Sequence, residues 1–186
     1  KNADERREVA SITKLMTALL VLEALDRDEI ALTDSVQISP RAAAMKGSQA
    51  LLDANAVYPL EDLLRTTIMA SANDSAVALS EYIAGSEENF VDRMNHRAAE
   101  LGMTNTNYVN CTGYPQSGQY TTARDVCRLC CEIAKHPRYN QYASVWIDKL
   151  THPGGRVTDL TNTNRLVRFY EGCDGYKTGS TDAAKY

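Results

Sequence analysis

The sequence has no apolar run long enough to cross a bilayer. Its longest apolar stretch, from Leu15 to Leu25, is interrupted by Thr17 and Glu23 and is about half of the roughly 20 residues that a membrane-spanning helix requires. We therefore expect no membrane span in this chain. The charged residues from Lys1 to Arg7 are not followed by an apolar segment or a small-residue cleavage site, so we expect any export signal to lie outside these limits.

An excess of positive charge is also missing. Twenty Lys and Arg stand against 24 Asp and Glu, for a formal net charge of −4, which gives no basic footprint for a nucleic acid backbone. Hydrophobic residues make up 44% and charged residues 24% of the chain, which is ordinary for a soluble globular protein and excludes a disordered or fibrous one. The length of 186 residues, without repeat or linker, predicts a single domain with a buried core.

The cysteines do not form a complete disulfide framework, because there are five of them and an odd number leaves one unpaired. Cys111 and Cys173 are expected to be small buried hydrophobic residues rather than redox groups. Cys127, Cys130 and Cys131 have the spacing of metal ligands, but no second ligand pair follows. We expect no zinc site there.

Histidine is scarce, and the motifs that would give it a catalytic role are absent. The three histidines occur in no H-E-x-x-H pattern, and the sequence contains no G-x-S-x-G or P-loop motif. We expect all three to lie on the solvated surface: His96, His136 and His152. A nucleophile in this protein would therefore need activation by another group.

Apolar periodicity and capping signals predict about six helices and few strands. The apolar residues between Ser11 and Leu25 surround the helical wheel, which is typical of a buried helix. Asn73 or Asp74 is expected to cap a later helix that Gly85 ends. After the first, the predicted helices cover about 59–69, 75–84, 87–101, 123–135 and 138–150. A polar loop at 104–120, a turn at 153–155 and strand-like residues up to about 176 complete the prediction.

Three short motifs carry residues capable of chemistry: Ser11-Ile12-Thr13-Lys14, Ser71-Ala72-Asn73 and Lys177-Thr178-Gly179. Each alone is weak, since a serine three residues before a lysine is equally consistent with a helix cap followed by a surface lysine. At this spacing, however, both side chains lie on one face of an apolar helix. Burial lowers the pKa of a lysine, and a neutral amine beside a hydroxyl is a general base. The helix N-terminus would help to stabilise an oxyanion.

In this order, the three motifs resemble the S-x-x-K, S-x-N and K-T-G set of penicillin-binding proteins and serine β-lactamases. The surrounding segments at 10–23, 69–81, 101–113 and 160–181 are similar to the low-molecular-mass D-alanyl-D-alanine carboxypeptidases. The resemblance implies an α/β (α+β) fold, in which an antiparallel sheet is flanked by helices and joined to an all-helical portion. Most of this chain would belong to the helical portion.

The resemblance also implies roles for the first two motifs. Ser11 would be the acylated nucleophile, and Lys14 would be the base that accepts its proton. Ser71 would relay a proton to the leaving D-alanine. Asn73 would hold the side chain of Lys14 or an amide of the substrate.

In the third motif, the resemblance assigns the terminal carboxylate of the substrate to Lys177 and Thr178, for which a cation and a hydroxyl are suitable partners. Gly179 would let the substrate backbone lie against a strand edge. The backbone N–H groups of Ser11 and Ser180 would form the oxyanion hole. The resemblance implies neither a metal nor a cofactor.

The implied reaction removes the terminal D-alanine from peptidoglycan stem peptides in the bacterial cell envelope, with β-lactams as inhibitors. Membrane association is expected only through segments absent from this chain, and a nucleic acid partner is not expected. A β-lactamase and a non-catalytic module that binds penicillin or cell-wall peptides are the alternatives. No glutamate occurs between 151 and 168, where class A β-lactamases carry the one that activates water, so slow deacylation is expected.

The expected domain is a truncated catalytic domain over 1–186. Few residues flank the first and third motifs, so we expect the strands that usually surround them in this fold to be missing from the chain or supplied from elsewhere. A lone strand cannot satisfy its own backbone groups. The third motif is therefore expected on a strand whose sheet is incomplete.

Overall fold

The computed structural model describes residues 2–181, so Lys1 and 182–186, at the two ends of the expected domain, lie outside the described residues. The first of the described elements is a 3₁₀ turn at Ala10–Thr13. The α-helices are α1 Lys14–Asp26, α2 Pro40–Ala43, α3 Leu60–Met69, α4 Asn73–Ala84, α5 Glu87–Glu100, α6 Ala123–Ile133, α7 Pro137–Ala143 and α8 Leu166–Phe169. The strands are β1 Ser35–Gln37, β2 Val57–Pro59, β3 Ile147–Thr151 and β4 Val157–Thr161.

Helix α1 is the centre of the molecule. Side chains on all sides of it are buried, and α3, α4, α5, α6 and α7 all contact it. This confirms the prediction of a buried helix, since a helix that is apolar all round must be enclosed by other elements. All six predicted helices are present, and the two additional ones, α2 and α8, span four residues each.

The strands form two small antiparallel pairs, β1 with β2 and β3 with β4. The predicted turn at 153–155 joins β3 to β4, with Gly154 at φ +90°. The helix predicted over 138–150 is wrong in its second half, because α7 ends at Ala143 and 147–151 is strand. Leu150 and Leu160 are buried on one face of this hairpin, and the pairing of β3 with β4 decides the conformation there.

The strand-like prediction up to about 176 is also wrong beyond Thr161, where β4 ends and α8 soon follows. Within residues 2–181, Lys177 to Ser180 belong to no strand. The third motif is therefore carried by an irregular segment.

Helix α4 begins without the predicted side-chain cap. Its N-cap is Ala72, which makes no side-chain hydrogen bond, whereas Gly85 ends the helix at φ +78° as predicted. The Asp74 carboxylate instead accepts backbone N–H groups of Ala50 at 2.9 Å and Leu52 at 3.1 Å. Asp74 thereby attaches the loop before β2 to the start of α4.

Replacing Asp74 by alanine is expected to lower the free energy of unfolding by about 2–4 kcal/mol, because it leaves buried backbone donors without an acceptor. Asp74 is 0% exposed and also accepts the N–H of Ser75. Urea unfolding would measure the change. The matched control Asp92→Ala removes an exposed carboxylate from α5 and should change stability by less than about 0.5 kcal/mol. Equal effects of the two substitutions would contradict this account of Asp74.

The prediction that all three histidines lie on the surface is wrong for His152, whose side chain is 0% exposed. Its Nδ1 lies 2.7 Å from the Tyr58 hydroxyl and its Nε2 lies 2.8 Å from Thr158 Oγ1. His136 is partly buried beside Asp26, and His96 is exposed. The partners of His152 come from β2 and β4, so no local pattern around it reveals its burial.

Candidate active site

Ser11 and Lys14 lie side by side at the start of α1. Ser11 belongs to the 3₁₀ turn and Lys14 is the first residue of the helix. The Lys14 ammonium nitrogen donates to Ser11 Oγ at 3.0 Å and to the backbone carbonyl of Thr112 at 2.6 Å. Because Lys14 is only 1% exposed, the alternative of a surface lysine after a helix cap is wrong.

The pKa of Lys14 is lowered to about 7, mainly by burial and also by the positive charge of Lys177, while Cys111 and Asp74 act in the opposite direction. Desolvation penalises the charged ammonium, and a second cation penalises it again. A substantial fraction of Lys14 is therefore a neutral amine at pH 7. Such an amine can accept the proton of the adjacent hydroxyl.

The loop at 110–113 supports the backbone of Ser11. Gly113 has φ +79°, and a Cβ on it would lie 1.8 Å from the carbonyl oxygen of Ala10 and 3.0 Å from the nitrogen of Ser11. Asn110 Oδ1 accepts the N–H of Gly113 at 2.8 Å. The sequence analysis included this loop in the segment 101–113 that is similar to the carboxypeptidase family. It did not predict that the loop forms a wall of the site.

The second motif lies between α3 and α4. Ser71 is 3% exposed and has φ +62°. The Asn73 side-chain amide donates to the carbonyl of Lys46 at 2.6 Å, and its backbone N–H donates to the carbonyl of Ser48 at 2.7 Å. The expected partners of the Asn73 side chain were Lys14 and an amide of the substrate. Within residues 2–181, Asn73 makes no hydrogen bond to Lys14. The buried Oδ1 of Asn73 has no partner in that part of the chain.

The third motif packs directly against the 3₁₀ turn. A Cβ on Gly179 would lie 2.6 Å from the carbonyl oxygen of Val9 and 3.1 Å from Ile12 Cγ1. Contact with the segment that carries Ser11 therefore already requires a glycine at position 179. The resemblance had implied a different reason for this glycine, namely contact between the substrate and a strand edge. Burial lowers the pKa of Lys177 to about 7. Thr178 Oγ1 donates to Thr163 Oγ1 at 2.8 Å.

These segments enclose a cleft of about 540 Å³. Three of the predicted site residues line it: Ser11, Asn73 and Ser180. The loops at 47–48 and 113–115 also form walls of the cleft, and the sequence analysis did not predict them. The lining residues are Ser11, Gly47, Ser48, Asn73, Gly113, Tyr114, Pro115, Ser180 and Thr181. Tyr114 therefore borders the cleft, whereas three other tyrosines are buried: Tyr108, Tyr139 and Tyr142.

The chain matches the peptidase S11 family of D-alanyl-D-alanine carboxypeptidases over residues 1–186. It belongs to this family. D-alanyl-D-alanine carboxypeptidase DacF of Bacillus subtilis (strain 168) is 42% identical over 186 residues, which cover 100% of this chain and 48% of DacF. The chain thus spans about half the length of the curated relatives it matches.

Solved structures of the family have the same fold. The D-alanyl-D-alanine carboxypeptidase DacD of Francisella tularensis superimposes with a TM-score of 0.95 at 29% identity, over 100% of this chain and 57% of that one. Penicillin binding protein 5 of Haemophilus influenzae gives 0.90 at 33% identity, over 97% and 53%. The predicted resemblance and fold class are confirmed.

Among residues 2–181, no helix is both long and apolar enough to span a membrane.

The cysteines lie away from the cleft lining. Cys111 is buried as predicted, and burial raises the pKa of its thiol well above the ordinary value. Cys173 is only partly buried, and Cys127 and Cys131 are exposed on α6. Among the described residues, one group of potential metal ligands lies close together: Glu23, Glu132 and His136. Arg97 already pairs with both of its carboxylates, at 2.7 and 3.1 Å.

Proposed function

We propose that this chain carries the active site of a serine D-Ala-D-Ala carboxypeptidase. The single observation that carries the proposal is the 3.0 Å contact between the Lys14 amine, whose pKa is lowered to about 7, and Ser11 Oγ. A serine hydroxyl is a weak nucleophile unless a base removes its proton, and this base is correctly placed and tuned near neutral pH. Membership of the family gives the substrate class.

In the acylation step, Lys14 accepts the hydroxyl proton while Ser11 Oγ attacks the carbonyl carbon of the penultimate D-alanine. The negative charge that develops on the carbonyl oxygen is stabilised by the backbone N–H groups of Ser11 and Ser180. The C–N bond then breaks, and the leaving amine takes a proton relayed by Ser71. Terminal D-alanine departs, and Ser11 holds the peptide as an ester.

Substrate orientation falls to the remaining predicted residues. Lys177 and Thr178 bind the terminal carboxylate through a cation and a hydroxyl, and Asn73 Oδ1 accepts a substrate N–H. Gly179 keeps the third motif in contact with the 3₁₀ turn. Water then attacks the ester, releasing the shortened peptide and returning the proton to Ser11.

We further infer that peptidoglycan stem peptides are the substrate, that β-lactams acylate Ser11, and that the site works in the bacterial cell envelope. The similarity to penicillin binding protein 5 supports β-lactam binding. The net charge of −4 gives no support to a nucleic acid partner.

Release of D-alanine from diacetyl-Lys-D-Ala-D-Ala, combined with mass spectrometry of a penicillin adduct, tests the proposal. The wild type should release D-alanine and carry one penicillin on Ser11, and Ser11→Ala should do neither. Peptide binding that survives in Ser11→Ala, with no release by the wild type, would instead indicate a binding module. An adduct that disappears within seconds would indicate a β-lactamase.

The pH dependence of β-lactam acylation should separate the two lysines. The first-order rate at saturating β-lactam is expected to rise through about pH 7, since Lys14 acts as the neutral amine. Affinity for the β-lactam carboxylate is expected to fall above about pH 7, since Lys177 then loses its charge. Stopped-flow acylation from pH 5.5 to 9 measures both constants. A rate that does not change over this range would contradict the role of Lys14.

A further inference from the structure

The two residues that precede the third motif have an unusual backbone. Gly175 has φ +113° and Tyr176 has φ +64°. The left-handed region is costly for a tyrosine, by about 1 kcal/mol or more, and such a conformation persists only where surrounding contacts enforce it. The chain therefore reaches Lys177 through two consecutive residues with positive φ, and something must hold them there.

Contacts from α7 and from Asn164 hold these two residues. A Cβ on Gly175 would lie 2.5 Å from the carbonyl oxygen of Ala143, at the end of α7, so the backbones are in close contact. The side-chain amide of Asn164 donates to the carbonyl of Gly175 at 2.7 Å. The Tyr176 ring packs on that of Tyr139 in α7, with centroids 5.4 Å apart.

The hydroxyl of Tyr176 extends the attachment to α6, where it donates to the carbonyl of Cys130 at 3.3 Å. Both α6 and α7 pack on α1, and Lys14 is the first residue of α1. The Tyr176 side chain therefore connects the segment that carries Lys177 to the same helical core that carries Lys14.

We propose that Tyr176 is a positioning residue of the active site, which sets the location of Lys177 relative to Lys14 by packing its ring on Tyr139 and by its hydrogen bond to α6. The proposal rests on the proposed function, because its consequence is a change in acylation. Displacing Lys177 weakens capture of the carboxylate. It also moves a cation away from Lys14, whose amine otherwise faces Lys177, Cys111 and Asp74.

The test is the pH profile of β-lactam acylation in Tyr176→Ala and Tyr176→Leu, which remove the stacked ring, and in Tyr176→Phe, which keeps it. In the first two, the midpoint of the rate profile should rise by about half a pH unit or more, and the KM for D-alanine release should rise about ten-fold. Tyr176→Phe should stay within about three-fold of the wild type. Tyr170→Ala is the matched control, since this tyrosine of the same region is 67% exposed.

Thermal unfolding identifies variants that have lost their fold. If Tyr176→Ala does not fold, Tyr176→Leu tests the positioning role of Tyr176, because leucine keeps apolar volume against Tyr139. A folded Tyr176→Leu with the wild-type midpoint and KM would overturn the inference, because a purely structural tyrosine would change only the unfolding temperature. Failure of the wild type itself to acylate or to release D-alanine would overturn the proposed function instead. The two failures are thus distinguishable.

Discussion

Lys14→Met is expected to lower the rate of Ser11 acylation by about 10³-fold while making the protein more stable. General bases contribute about 10²- to 10⁴-fold, and the Lys14 amine is 3.0 Å from the hydroxyl that it serves. Methionine has similar length and no charge, so it fills the same buried space. Stopped-flow acylation by a β-lactam measures the rate.

The stability change follows from the lowered pKa of Lys14, which is about 7 in the folded protein against an ordinary 10.5. Between these values the unfolded chain binds more protons than the folded one, so wild-type stability rises with pH across this window. The cost of burying the charge is complete below pH 7. Lys14→Met should therefore gain about 1–3 kcal/mol at pH 6, and its advantage should shrink toward pH 10.

Urea unfolding at pH 6 and pH 9 tests the stability change. Lys177 is present in both proteins, and the part of its titration that depends on the charge of Lys14 belongs to the effect of the substitution. Lys149→Met is the matched control: its side chain is 68% exposed on β3, and it should change neither stability nor acylation appreciably. Acylation of Lys14→Met within ten-fold of the wild type would show that another group is the base.

Gly113→Ala is expected to reduce acylation at least 100-fold and to destabilise the protein by about 3 kcal/mol or more. The added Cβ would lie 1.8 Å from the carbonyl oxygen of Ala10, so the backbone of the 3₁₀ turn or of the loop must move. Either movement displaces Ser11 or the Thr112 carbonyl that accepts from Lys14. Misplacement of reacting groups by about 1 Å costs about 100-fold in rate.

Gly85→Ala provides the matched control, because Gly85 has φ +78° but nothing lies within 4 Å of the position of its Cβ. It carries the conformational penalty of about 1 kcal/mol without the steric one. Comparing the two variants by urea unfolding and by acylation isolates the contact with Ala10. Gly113→Ala with the stability and rate of Gly85→Ala would mean that the loop adapts freely.

Local pattern was sufficient for the longer helices from α1 to α6 and for the first motif. The helix that begins after Ser11 is apolar on all sides, which already requires burial, and an i, i+3 pair on one element has its distance set by helical geometry. The lowered pKa of Lys14 follows from the same burial. The caps Ser86 and Thr122 are also local, since each accepts an N–H three residues later.

Contacts between distant segments decided the rest. Sequence placed His152 on the surface, but its partners come from β2 and β4. It extended a helix to Leu150, whereas 147–151 pairs with β4 as a strand. The environment of Asn73 depends on carbonyls near residue 47, and that of Gly179 depends on Val9.

The sequence by itself therefore determined the helical core and the contact between Ser11 and Lys14, because each depends on residues within one or two turns. Only the tertiary structure decided how Lys177 approaches Lys14 and which glycines the cleft requires. The packing of Tyr176 on Tyr139 likewise brings together side chains 37 positions apart in the printed numbering. Such contacts carry no periodic signal, since their geometry arises from the packing of whole elements rather than from the spacing of residues.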